Sequence, residues 1–209
     1  MARRVIARPD AVRRVRQLNN ATIGWNVVEG VVAVAAGIAA GSVGLIAFGL
    51  DSAVEVSTSL VLAWRLHKER HGGCMAGYDR RATRAIALCF AALAAYVLVE
   101  ATLQLVTADA PEASPVGIAL AALSLVLMPA LAWGKLRLAP VLGSQAVRAE
   151  ARQTLLCAAM SFVLLVGLGL NAALGWWWAD PVAALAIGGF AAREARAAWS
   201  AEALEDTCC

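Results

Sequence analysis

Asp51 and Glu55 stand four residues apart inside SVGLIAFGLDSAVEVSTSLVLAW, the run from Ser42 to Trp64. On a helix this spacing stacks the two carboxylates one turn apart, about 6 Å along the axis, on a single face. The run is long and apolar enough to cross a bilayer, where a carboxylate costs about 2.5–3.5 kcal/mol even on gentle scales. Such a group persists only against a partner, a cavity or an ion. Two of them also repel each other, and a cation between them relieves both costs. The alternative is a pair of carboxylic acids, protonated or paired with a base from another helix. No Lys, Arg or His falls in the middle of an apolar segment, so the ion site is the preferred reading.

A second pair answers the first. SQAVRAEARQTLLCAAMSFVLL carries Gln153 and Cys157 at the same spacing, and a serine follows each pair one turn later, Ser59 and Ser161. Facing helices would bring together two carboxylates, an amide oxygen and a thiolate, a donor mixture suited to tetrahedral Zn2+. Taken singly, Cys157 reads as a small core residue and Gln153 as an interhelical hydrogen bonder. The matched spacing favours ligands. Asn26, Glu29 and Glu100 also lie in apolar surroundings, where they either line the ion and proton path or bond to a neighbouring helix. Glu150, between Arg148 and Arg152, is expected in an ionic cluster at the inner mouth.

The elements that must position these groups follow from composition. The chain has 209 residues, 61% hydrophobic and 16% charged, with mean hydropathy +0.69. That excludes an ordinary soluble domain and points to an all-α polytopic membrane protein. The apolar segments are 22–40, 42–64, 84–107, 116–133, 153–175 and 178–198, each near the roughly 20 residues of a spanning helix. The connections GS, DAPEASP and GWWWADP hold no Lys or Arg, so all 18 basic residues fall on the other side. By the positive-inside rule both termini are cytoplasmic. The expected organisation is a basic cytoplasmic segment over 1–21, a six-helix transporter domain over 22–199 and a short cytoplasmic tail over 200–209. The membrane is expected to be the cell's inner, or plasma, membrane.

Trp25, Trp64, Trp133 and Trp199 fall at the inner ends and Trp176, Trp177 and Trp178 at an outer turn, as interfacial belts would. Ala33, Gly37 and Gly41 give the first helix a close-packing face. Asp180-Pro181 reads as the start of the sixth helix, with Asp180 in a capping role. Five cysteines, partly inside apolar segments, do not form a disulfide framework. The loop holding His67, His71 and Cys74 reads as a solvated basic connection before a metal-capturing one. Cys208 and Cys209 could take a soft metal or a lipid.

WNVVEG, GSVGLIAFGLDSAVEVSTSLVLAWR, SQAVRAEARQTLLCAAMS and GWWWADPVAAL together make the chain, from Asn26 onward, resemble the cation diffusion facilitators. Those proteins export divalent metals in exchange for protons. The resemblance implies a six-helix transmembrane domain, a homodimer, and a metal held between the second and fifth helices on an acidic or His pair and a His-xxx-Asp pair. Asp51 and Glu55 match the first pair; Gln153 stands at the His and Cys157 at the Asp. The thiol favours zinc or cadmium over manganese or magnesium. The cytoplasmic metal-sensing domain of many members is expected to be lacking, making this a short form.

The expected function is therefore a secondary transporter exporting a divalent transition-metal cation, Zn2+ foremost, by proton antiport. When the ion leaves, three anions a few ångströms apart in a low dielectric cannot all stay ionised, so protons take its place. The metal and protons are substrates, the bilayer is the surrounding partner, and neither a prosthetic group nor nucleic acid is expected. The alternative is a non-transporting metal-binding or regulatory scaffold of the same fold. No nucleophile–base set or cofactor motif suggests an enzyme.

Overall fold

A helix buried on one stripe repeats its inward residues every three or four positions, and each long segment here does so. In α1 (Arg8–Ala40) the buried residues include Asn19, Thr22, Asn26, Glu29, Ala33 and Gly37. The computed structural model describes residues 8–69 and 76–200. Five further helices follow: α2 (Val43–Glu69), α3 (Ala76–Thr107), α4 (Pro115–Leu142), α5 (Gln145–Leu174) and α6 (Ala179–Ser200). Among the described residues there is no strand, and five helices are long and apolar enough to cross a membrane by length and composition. The other, α6, carries Asp180, Arg193, Glu194 and Arg196 within its 22 residues. His71, Cys74, Cys208 and Cys209 lie outside the described residues, as does the side chain of His67.

The centre of the bundle is α2, which packs on α1, α3, α5 and α6. Its apolar window is 61% buried, against 44% or less for the other four candidate spans. The helices α4 and α5 pair with each other, α4 also packs on α1, and α3 pairs with α6. Close approach of α1 and α2 depends on glycine. A Cβ on Gly37 would lie 2.7 Å from Ile46 Cγ1, and one on Gly49 would lie 2.9 Å from the Val34 backbone nitrogen. The expected small-residue face of α1 is therefore used at Ala33 and Gly37. Gly41, at φ +65°, instead turns the chain into α2.

Several helices overrun the segments read from hydropathy. The first extends back to Arg8, so residues 8–21 are helical and continuous with the first apolar segment. Ala11 and Val15 bury against Leu138, Ala139 and Val147. The fourth continues past Trp133 to Leu142, where Gly143 closes it in the left-handed conformation. Ser114 and Ser144 cap the N-termini of α4 and α5, each accepting from the backbone three residues on.

Asp180 does more than begin its own helix. It is fully buried, accepts from the Ser42 hydroxyl at 2.7 Å and lies 3.5 Å from the Gly44 amide, against the positive end of α2. Ser42 in turn accepts from the Leu45 amide. The connections at this end are tied together: Gln104 donates to the Gly41 carbonyl, Asn171 to the Pro111 carbonyl, and the Glu112 amide to the Ala40 carbonyl. An Asp180→Asn variant keeps the shape but weakens the charge–dipole contact, and should lower the thermal unfolding midpoint by a few degrees, an effect of about 1 kcal/mol.

Candidate cation-binding site

A polar column runs through the core formed by α1, α2, α4 and α5. Helix geometry explains its stripe on α2: Asp51, Glu55 and Ser59 recur at one-turn spacing, Ser52 lies one turn before Glu55, and all four are buried. On α5 the corresponding stripe is Glu150, Thr154, Cys157 and Ser161. On α1 it is Asn19, Asn26 and Glu29, and on α4 it is Ser124 and Lys135.

Asp51 and Glu55 are each 1% exposed, and none of their four carboxylate oxygens has a hydrogen-bond partner. The Thr154 hydroxyl and the Cys157 thiol are near Glu55, and Glu55, Glu29 and Asp51 all act electrostatically on Cys157. Cys157 is wholly buried, its sulfur 4.0 Å from Glu29 Oε2. Bare carboxylates in a sealed apolar core are costly, and a cation is the partner that would satisfy both at once. Among the described residues, however, no group of three His, Cys, Asp or Glu side chains stands ready to hold a metal ion. The donors share one region without forming a finished cage.

Glu29 is better furnished. Ser52 donates to its Oε2 at 2.9 Å, and Trp25 Nε1 and the Ser124 hydroxyl donate to its Oε1. Trp25 also donates to Ser124 at 2.9 Å, so this half-buried indole works inside the column and not only at an interfacial belt. Asn26 is 1% exposed with neither amide atom bonded. Glu150 pairs with Lys135, at 2.5 Å, and with neither of its flanking arginines. Lys135, beyond the fourth apolar segment of the sequence, is fully buried because α4 continues past it.

Gln153 is only half-buried and donates to no described side chain. It lies roughly 60° around α5 from the buried stripe, which passes through Thr154 and Cys157. Glu100 is half-buried on α3, beyond the column, near Tyr96. The sequence reading does not nominate Ser52, Ser124, Thr154 or Lys135; the one-turn offsets of Ser52 from Glu55 and of Thr154 from Glu150 were the available signal. Glu194 of α6 also acts on Asp51. It sits close to the inner end of the sixth segment, where an acid passes as a solvated residue.

Long apolar helices of this number fit an integral membrane protein. The family model for the cation efflux transmembrane domain matches residues 21–200. The chain belongs to the cation efflux family. It is also 29% identical over 157 residues to an uncharacterized transporter of Synechocystis sp., a match covering 71% of this chain and 50% of that protein. The chain thus spans about half the length of the curated relative it matches.

Proposed function

We propose that the protein exports a divalent transition-metal cation, Zn2+ foremost and Cd2+ next, by binding it between α2 and α5. The observation that carries this reading is the pair Asp51 and Glu55, both sealed in the core and both without a hydrogen-bond partner. Cys157 supplies the soft donor from α5, and the exposed margin of that stripe leaves Gln153 as a ligand only after α5 rotates or shifts. The ion carries two positive charges into a region of buried acids. Its departure leaves those charges unbalanced, and protons restore the balance, so flux of metal one way is coupled to protons the other way. Opening the bundle alternately at each end completes an antiporter. A homodimer in the plasma membrane with cytoplasmic termini completes the reading.

Purified protein in vesicles decides between transport and a metal-binding scaffold. Transport predicts Zn2+ accumulation that an outward proton gradient accelerates and a protonophore slows; a scaffold binds Zn2+ without accumulation. Cys157→Ser should slow Cd2+ entry about tenfold or more while changing stability little, because a hydroxyl is a poor soft-metal ligand in an equally small side chain. Equal Cd2+ rates for wild type and variant would reduce Cys157 to packing. Orientation is tested by cysteine labelling on intact cells. Glu112 is exposed at the end without basic residues and should label from outside, whereas Gln17 should not. Ser42 and Ala179, at the same end, are buried and unsuitable.

A further inference from the structure

The buried ion pair at the inner end of the column is not used by the reading above. Lys135 is fully buried, Glu150 is 6% exposed, and their charged atoms meet at 2.5 Å. The same Glu150 oxygen accepts from the Ser59 hydroxyl at 3.0 Å, while its other oxygen, Oε2, has no partner. Asn19 donates to the Ser59 carbonyl at 3.0 Å, which leaves Asn19 Oδ1 also buried and bare. A buried pair in an apolar bundle gains little stability over an apolar replacement, and one with two unsatisfied oxygens beside it gains less. The arrangement is a poor clamp but a good oxygen cradle with an ammonium resting in it.

Its position adds to this. Ser59 is one turn inward of Glu55 on α2, and Glu150 one turn inward of Thr154 on α5, so the cradle lies about 5–6 Å below the candidate metal site. Both Lys135 and Glu150 act electrostatically on Glu55. We propose that Glu150, Ser59 and Asn19 form a second cation-binding site, a staging site for the divalent ion, and that the Lys135 ammonium is its resident cation. The identity of the ion as transported cargo rests on the function proposed above. An incoming divalent cation displaces the ammonium from the carboxylate only in passing, and at equilibrium the tethered ammonium holds the site. The Lys135 stem, two turns before the end of α4, lets the ammonium swing toward the inner surface as the ion arrives. When the ion moves on to Asp51 and Glu55, the ammonium returns and closes the way back.

Equilibrium dialysis of Zn2+ against the purified full chain tests this. Lys135→Met should bind one more Zn2+ per chain than wild type, and Lys135→Met combined with Glu150→Gln should lose it again. Equal stoichiometry in those two variants would overturn the proposal. Should Lys135→Met fail to fold, Glu150→Gln is read in vesicles, where the KM for Zn2+ should rise about tenfold, a change of 1.4 kcal/mol, with partial rescue by Glu150→Asp. An unchanged KM, or no rescue, would leave the pair a structural tie. The two readings fail separately: if wild type and Asp51→Asn bind equal Zn2+, the main site falls, while the Lys135 and Glu150 comparison still decides this one.

Discussion

Asp51→Asn should cut divalent-cation flux at least about 100-fold, equivalent to 2.7 kcal/mol of lost stabilisation on the transport path, and leave the protein folded. The amide has the shape of the carboxylate, so packing around a residue 1% exposed is preserved. No hydrogen bond is lost, because neither Asp51 oxygen makes one. What disappears is a buried carboxylate that couples electrostatically to Glu55 and Cys157. Removing an unpaired carboxylate from an apolar core should if anything raise the yield of folded protein. Initial Zn2+ entry into vesicles, with monodispersity on size exclusion as the folding control, measures both halves. Flux at the wild-type rate in this variant would take Asp51 off the path.

Gly49→Leu should abolish folded protein, with recovery from detergent at least about tenfold below wild type. A Cβ there would lie 2.7 Å from Val34 Cγ2, 2.9 Å from the Val34 nitrogen and 3.0 Å from the Gly30 carbonyl oxygen. Two of those three atoms are backbone, which cannot turn aside as a side chain can. Overpacking of this kind costs about 1–3 kcal/mol where the surroundings yield, and more where they do not. The displacement would also pull Ser52 from Glu29, since that hydrogen bond crosses the same α1–α2 contact. Gly189→Leu is the matching control: a Cβ on Gly189 meets nothing within 4 Å, and its yield should stay near wild type. Comparable yields for the two variants would mean that α1 and α2 do not depend on this close approach.

The six helices and the central position of α2 were legible because both are set by hydrophobicity. A run of apolar residues needs a lipid or protein surround, and a run with two carboxylates needs the protein one. The site was legible only in part, for reasons of angle and length. Gln153 and Thr154 are neighbours in sequence, but 100° separates them around a helix, and Thr154 is the one turned toward Glu55. Spacing alone matched Gln153 to Cys157 and could not see the rotation. The burial of Lys135 was not legible because hydropathy ends the fourth span at Trp133, whereas packing against Ala11 and Val15 extends the helix past the cation. The belt reading of Trp25 missed its indole donating to Glu29 one turn on and to Ser124, 99 residues away in sequence. Serines such as Ser52 and Ser124 carry no sequence signature of their own.

The central claim is that a divalent cation sits between α2 and α5, and the most direct measurement locates it. Diffraction at the zinc absorption edge from crystals of the full chain grown with Zn2+ gives the ion's position independently of any flux assay. An anomalous peak is expected within coordinating distance of the Asp51 and Glu55 carboxylates and the Cys157 sulfur, about 2.0–2.3 Å from each donor, lost in Asp51→Asn. A fully occupied peak elsewhere in a transport-competent protein, with none beside Asp51 and Glu55, would contradict it.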